Sequence, residues 1–336
     1  MLTRRRMLAL TATALAAAGT APGAARAAPP LRLGILQFGT AAWEIAAMTA
    51  LGLDAAHNLS LATTRYANND AGRIAFQAGA ADAIVTDLLW AARVKAEGRD
   101  LVYLPFSSSE GAVMVPQASP IRSLSDLAGK RLGVAGGALD KSWLMLKAAA
   151  QEKAGLDLQS AAQPVFAAPP LLAAELEQGR LDAALLYWTF AARLEPKGFR
   201  RLVSVEELVK GFGLPHEPTL VGYVFDGGFA RAYPAVVSAF AAASRATKAA
   251  LGDANPARSG PAWAAARPEM QAGDDATFEA LRRGFIAGIP RLPLAEERAL
   301  AAQLYAVLAR LGGPRLVGPA LTLPPDLYFA GEPVAR

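Results

Sequence analysis

The chain contains no cysteine, two histidines and 19% charged residues in a length of 336. Without cysteine there is no disulfide frame, thiolate nucleophile, iron–sulfur cluster or cysteine-based zinc site. His57 and His216 stand far apart, and neither has a second imidazole nearby in sequence. That leaves little for a histidine metal cluster or a histidine-activated nucleophile. Basic excess is also missing where it would matter. The formal charge is +5, but four of the 34 basic residues (Arg4, Arg5, Arg6, Arg26) and none of the 29 acidic ones lie in the first 27 positions, leaving 30 against 29. So even a balance excludes a phosphate-tracking surface, and nucleic acid is not an expected partner. Hydrophobic residues, at 53%, exclude a disordered chain.

The first 27 residues read as an export signal: a basic head, an apolar stretch from Ala9 to Ala18, and small residues flanking Arg26 before a cut near Ala27. The stretch Thr3-Arg4-Arg5-Arg6-Met7-Leu8 resembles the twin-arginine pattern, with Met7 where Phe is usual. The apolar middle is too short to cross a bilayer, and no later stretch is long and apolar enough to do so. The expected location is the periplasm, as a freely diffusing monomer.

Between residues 31 and 115, short apolar runs alternate with helical stretches, which predicts an α/β fold with mostly parallel sheets flanked by helices. The pattern then restarts. Arg32-Leu33-Gly34-Ile35 recurs as Arg131-Leu132-Gly133-Val134, each followed by a small-residue loop and a helix bearing Trp43 or Trp143. Gly79-Ala80-Ala81-Asp82-Ala83 recurs as Gly179-Arg180-Leu181-Asp182-Ala183. A repeat of this length implies two lobes of one plan. Beyond Thr219 come one strand and three helices, Ala235–Leu251, Ala276–Ile286 and Ala295–Leu311, which prolines 256, 261, 268, 290 and 293 punctuate. These helices are expected to return and cover the first lobe. The tail at Pro324-Pro325 and Leu327-Tyr328-Phe329 shows no periodicity.

In an open sheet of this kind, ligands lie beyond the carboxyl ends of strands, where helix N-termini offer free N–H groups. The candidate cleft residues are therefore Gln37, Phe38, Gly39 and Thr40 with Thr86 and Asp87 in lobe one, and Gly136 and Gly137 with Tyr187 and Trp188 in lobe two. Trp43, Trp90 and Trp188 could stack on a ligand or fill the core. Thr40, Thr86 and Asp87 fit helix caps as well as contacts. Asn68 is a secondary candidate at a strand end. Asp82 and Asp182 precede strands on the side away from the cleft and belong to the fold. No catalytic residue, cofactor or metal is expected.

Three stretches carry a resemblance: Leu31-Arg32-Leu33-Gly34-Ile35, Gln77-Ala78-Gly79-Ala80-Ala81-Asp82-Ala83, and Ser123-Leu124-Ser125-Asp126-Leu127-Ala128-Gly129-Lys130-Arg131-Leu132-Gly133-Val134. Over roughly residues 31–230 the chain resembles periplasmic substrate-binding proteins of ABC importers, in the branch that takes sulfonates, taurine, nitrate and thiamine precursors. The resemblance implies the type II two-lobe fold, with 28–110 and 222–336 as lobe one and 111–221 as lobe two. It implies crossings near Ser107–Gly111 and Pro218–Tyr223, which add Ser107, Ser108 and Tyr223 to the candidates. It also implies a small polar ligand and an inner-membrane permease as partners. Two departures stand out. A Ser/Thr-rich start to the lobe-two helix is missing, and Asp140 there is a poor neighbour for an anion. Carboxylates Glu44, Asp70, Asp87 and Glu110 also fall near the expected cleft. A neutral heterocycle or a cation therefore remains open as the ligand. The alternatives are a binding module that feeds a sensor or a periplasmic oxidoreductase, and a pyrimidine-synthase-like enzyme.

Overall fold

A computed structural model describes residues 29–331; the export signal expected at 1–27 lies outside the described residues. Two five-stranded sheets form the frame. The first has the order β2-β1-β3-β10-β4, from β1 (Leu31–Leu36), β2 (Leu61–Tyr66), β3 (Ala83–Asp87), β4 (Leu101–Ser107) and β10 (Val221–Asp226). The second has the order β7-β6-β8-β5-β9, from β5 (Gly111–Pro116), β6 (Arg131–Ala135), β7 (Gln163–Ala167), β8 (Ala183–Tyr187) and β9 (Phe199–Ser204). The chain crosses between sheets twice, from Ser107 to Gly111 and from Ser204 to Val221, so the two-lobe expectation holds.

The sheets are mixed rather than mostly parallel. Pairing is parallel about β1 and β6 but antiparallel about β10 and β5. The cause is the double crossing: β10 enters the first sheet, and β5 the second, directly from the other lobe and from the opposite end. Neither is joined to a strand of its own sheet by the crossover helix that a parallel neighbour would need.

The repeat is physical as well as textual. Asp82 accepts the Arg32 backbone N–H and Nε–H, each at 3.0 Å. Asp182 accepts the Arg131 backbone N–H at 2.8 Å and its Nε–H at 3.1 Å. The pairs tie the start of β1 to that of β3 and the start of β6 to that of β8. Gly34 and Gly133 match as well, since a Cβ would come within 2.7 Å of Tyr66 in one lobe and of Leu181 in the other.

Helices α1 (Ala41–Ala50), α2 (Leu53–Ala56), α3 (Asn69–Gln77) and α4 (Leu88–Ala96) belong to the first half. The second half supplies α5 (Lys141–Ala154), α6 (Leu158–Ala161), α7 (Pro169–Glu177), α8 (Trp188–Leu194) and α9 (Val205–Gly211). After β10 come α10 (Gly227–Ala232), α11 (Pro234–Leu251), α12 (Pro256–Met270), α13 (Asp275–Ala287), α14 (Leu294–Gly312) and α15 (Pro314–Val317). The three helices expected there are α11, α13 and α14. Helix α12 was not expected, because it runs through Pro261 and Pro268, which normally end a helix. Burial outweighs that penalty here: Ala262, Trp263, Ala266 and Met270 are buried, and Trp263 Nε1 donates to the Leu251 carbonyl at 2.8 Å.

The late helices do not stay on the first lobe. While α11 and α12 pack on α1, α13 packs on α8 and α14 on α5. A continuous buried cluster runs from Leu88 on α4 through Leu300, Leu304 and Leu308 on α14 to Trp143 and Leu146 on α5. The tail also finds a place. Leu327 and Tyr328 are buried, and Tyr103 on β4 donates to the Leu327 carbonyl at 2.7 Å and accepts from Phe329 at 2.9 Å.

Candidate functional site

The carboxyl ends of β1, β3, β6 and β8 face a common cavity of about 810 Å³. Its walls come from both lobes and from the crossing segment: Phe38, Gly39, Thr40, Asn68, Thr86 and Asp87 on one side, Gly136, Asp140, Lys141, Tyr187 and Trp188 on the other, with Ser109 and Glu110 between them. A second cavity, of about 610 Å³, also borders Ser109, Glu110 and Trp188 and extends past Ser108 to His216, Glu217 and Glu297.

Each lobe supplies a helix start that a carboxylate of this chain already occupies. Asp87 caps α4, its Oδ1 accepting Trp90 N–H at 2.8 Å, and its other oxygen pairs with the Arg73 guanidinium. Arg73 also donates from Nε to Thr86 Oγ1 at 3.1 Å, and its guanidinium lies 5.2 Å from the centre of the Trp90 ring. In the other lobe, Asp140 caps α5 and accepts from Ser142 N–H at 2.8 Å and Trp143 N–H at 3.4 Å. Gly136 makes this loop possible. Its φ is +85°, and a Cβ would fall 2.4 Å from Asp140 Oδ2 and 2.6 Å from the Tyr187 hydroxyl oxygen.

Between the caps, Lys141 Nζ lies 2.8 Å from Glu110 Oε2, with only 5% of the Glu110 side chain exposed. Glu110 Oε1 is buried and has no hydrogen-bond partner among the described residues. Burial raises the pKa of Glu110 above the usual carboxylate range, since Lys141 only partly offsets it and Asp140 adds to the rise. Asp140 shifts in the same direction, again first by burial. Burial would lower the Lys141 pKa, but Glu110, Asp140 and Asp87 together outweigh it and hold the ammonium charged. Tyr187 is pushed up to about 12, chiefly by burial and then by Asp140.

Nine of the candidate residues therefore line the main cavity: Phe38, Gly39, Thr40, Asn68, Thr86, Asp87, Gly136, Tyr187 and Trp188. Phe38 is two-thirds exposed. Thr86 is no cap, while Asn68 caps α3 through Ala71 N–H at 2.9 Å and Thr40 makes no side-chain cap bond. Gln37 and Gly137 sit in the loops next to the lining residues but are not part of the lining. Ser108 borders the second cavity instead. Ser107 is buried beside Gly288 and accepts from Ser109 N–H at 3.2 Å.

Two candidates belong to the core. Trp43 is 2% exposed, packs edge-on to Trp188 at 5.7 Å and donates to the Glu269 carbonyl at 3.2 Å, because its helix is covered by α12. Tyr223 is fully buried behind Phe106 in the middle of the first sheet, and its hydroxyl faces Glu44. Glu44 is no cleft carboxylate either; it is fully buried and pairs with Lys248 at 2.8 Å. Trp90, which the sequence leaves between stacking and core, is buried and also reaches the cavity wall. Sequence reasoning missed Arg73 and Lys141, which lie inside a helix or at its first turn with no local pattern to mark them.

Residues 52–257, more than half of the chain, match the family model described as NMT1/THI5 like. The chain belongs to the NMT1/THI5-like family. Among solved structures it is similar to the periplasmic aliphatic sulphonate binding protein SsuA of Escherichia coli, at 20% identity and a TM-score of 0.66 over 88% of this chain and 96% of that one. The alkanesulfonate-binding protein SsuA of Xanthomonas axonopodis pv. citri, bound to MOPS, gives 19% identity and 0.65 over 90% and 99%. The desulfurization enzyme DSZB is also similar, at 16% and 0.54 over 87% and 97%. No curated protein matches by sequence. At these identities the likeness establishes the fold, a two-lobe periplasmic-binding architecture. In this NMT1/THI5-like chain the cavity just described is walled by the strand ends of both sheets.

Proposed function

We propose that this NMT1/THI5-like protein is a periplasmic solute-binding receptor that captures a small polar organic molecule between its lobes and delivers it to an ABC importer permease. The supporting observation is the cleft itself, whose walls are the strand ends of two sheets joined by two crossings, in the fold that sulfonate-binding receptors share. In this reading lobe one comprises 28–110 and 222–336, lobe two comprises 111–221, and the mature protein is a monomer cut near Ala27. The ligand leaves unchanged. His57 and His216 lie outside the main cavity, and the side chains lining it offer carboxylates, guanidinium groups and the Lys141 ammonium rather than a nucleophile with a base beside it.

Native mass spectrometry of the protein purified from its own host, paired with small-angle scattering, tests the reading. One small molecule per chain, a smaller radius of gyration when it is bound, and recovery of the same mass after prolonged incubation are expected. Two independent sites, unchanged scattering with bound ligand, or a product of altered mass would refute it.

A further inference from the structure

Resting on that receptor reading, we infer that the cleft takes its ligand through a cationic nitrogen, a protonated amine or an amidinium, held by Glu110 and Asp140 against an aromatic wall. The first reason is occupancy. A helix start attracts anions because its N–H groups lack partners. Of the helix starts on the cavity, α1 and α8 begin without a side-chain cap, while those of α4 and α5 are already filled by Asp87 and Asp140. A sulfonate or carboxylate placed there would meet a like charge in a poorly solvated cavity, where Coulomb repulsion is strong.

The second reason is an unpaired acceptor. The Glu110 side chain is 95% covered and lines the cavity, yet its Oε1 has no partner among the described residues, while Oε2 is held by Lys141. The two cations deepest in the cleft are committed, Lys141 to Glu110 and Arg73 to Asp87 and Thr86. Arg93 and Arg315 also line the cavity and make no ion pair among the described residues, but the unpaired Glu110 oxygen is the buried one, and it shares the cavity with a set of rings. Phe38, Trp90, Phe106, Tyr187, Trp188 and Phe190 all line the cavity, and a cation is drawn to aromatic faces as well as to carboxylates.

The test is a thermal-shift screen of the full chain with a library sorted by charge: primary amines, amidines, neutral heterocycles, sulfonates and carboxylates. Calorimetry then follows each binder, and benzylamine is compared with benzyl alcohol as a matched pair. Cationic compounds are expected to dominate the binders, with benzylamine at least tenfold tighter than its neutral isostere. Glu110→Gln and Asp140→Asn, which keep side-chain size, are expected to weaken the best cation tenfold or more. Anions that bind as tightly as cations, or a cation that ignores both substitutions, would overturn the inference and leave the receptor reading intact. The wild-type comparison of benzylamine with benzyl alcohol decides the matter even if a variant does not fold. If no compound of any class binds, the receptor reading itself falls.

Discussion

Replacing Lys248 with Met tests whether Tyr223 and Glu44 belong to the core rather than to the cleft. Lys248 Nζ sits 2.8 Å from Glu44 Oε2, donates to Ser244 Oγ at 2.7 Å, and lies 4.9 Å and 5.6 Å from the Phe106 and Tyr223 rings. The two charged side chains are 7% and 0% exposed. Removing the ammonium strands a carboxylate behind Phe106 with no water to reach it. Breaking one half of a buried pair costs about 3–5 kcal/mol, whereas replacing both halves with apolar groups of similar volume is close to neutral. The single variant should therefore melt about 10 °C lower, at roughly 2–4 °C per kcal/mol for a chain of this size. The double variant Glu44→Leu/Lys248→Met should recover to within about 1 kcal/mol of the parent. Thermal unfolding followed by circular dichroism reads both, and calorimetry with a cleft ligand should give the same affinity for the parent and the double variant. A single variant as stable as the double one would refute the claim that the pair is desolvated. A lost ligand in the double variant would return Tyr223 and Glu44 to the cleft.

Three further outcomes are expected. Asp82→Ala should cost about 2 kcal/mol and Asp182→Ala about 0–1 kcal/mol in denaturant titrations, because the duplicated Arg–Asp tie is 9% exposed at the first carboxylate and 33% at the second; equal losses would show that burial does not set the difference. Cation affinity should be constant above the raised pKa values of Glu110 and Asp140 and fall as pH drops through them, since protonation removes the charge while Lys141 stays charged; calorimetry along a series of falling pH checks the sign, and an affinity that rises on acidification contradicts it. Gly284→Ala would place a methyl 2.6 Å from the Trp188 ring. The gain of about 1 kcal/mol from alanine in a helix should be outweighed by about 1–3 kcal/mol of overpacking, because Trp188 is wedged against Trp43. A net stabilisation in thermal melts would mean that the ring is free to move.

The lobes were legible in the sequence because duplication copies local constraints. Arg32 and Arg131, Asp82 and Asp182, and Gly34 and Gly133 keep their types for reasons confined to a strand and its neighbour. The strand-end loops followed from the same register, which is why Phe38, Thr86, Asp87, Gly136 and Tyr187 could be placed from sequence. What stayed hidden depends on packing between distant segments. Trp43 and Tyr223 look like site aromatics until α12 and Lys248 cover them, some two hundred residues later in the chain for Trp43. Helix α12 itself is masked by two prolines that only tertiary burial tolerates. Arg73 and Lys141 give no local signal, since their importance lies in what faces them: Asp87 from the next strand and Glu110 from the crossing.

The C-terminal helices constrain how the lobes can move. A hinge made only of the two crossings would leave the sheets free to swing about residues 108–110. Instead, α13 leans on α8 through Gly284 and Trp188, and α14 ties α4 to α5 within one apolar cluster. Arg193 on α8 adds donors to the Met270 and Gln271 carbonyls at 2.7 Å and 2.9 Å. Rotation that opens the cleft must slide these packed surfaces rather than separate them, because separating them would expose the buried Leu300, Leu304 and Leu308. Any such sliding passes Trp188, which packs between Trp43 and Gly284 and borders both cavities. Glu110, also on both cavities, accepts the Trp188 N–H at its carbonyl at 3.0 Å and is ion-paired to α5 through Lys141, so a cation bound there sits where the two lobes meet.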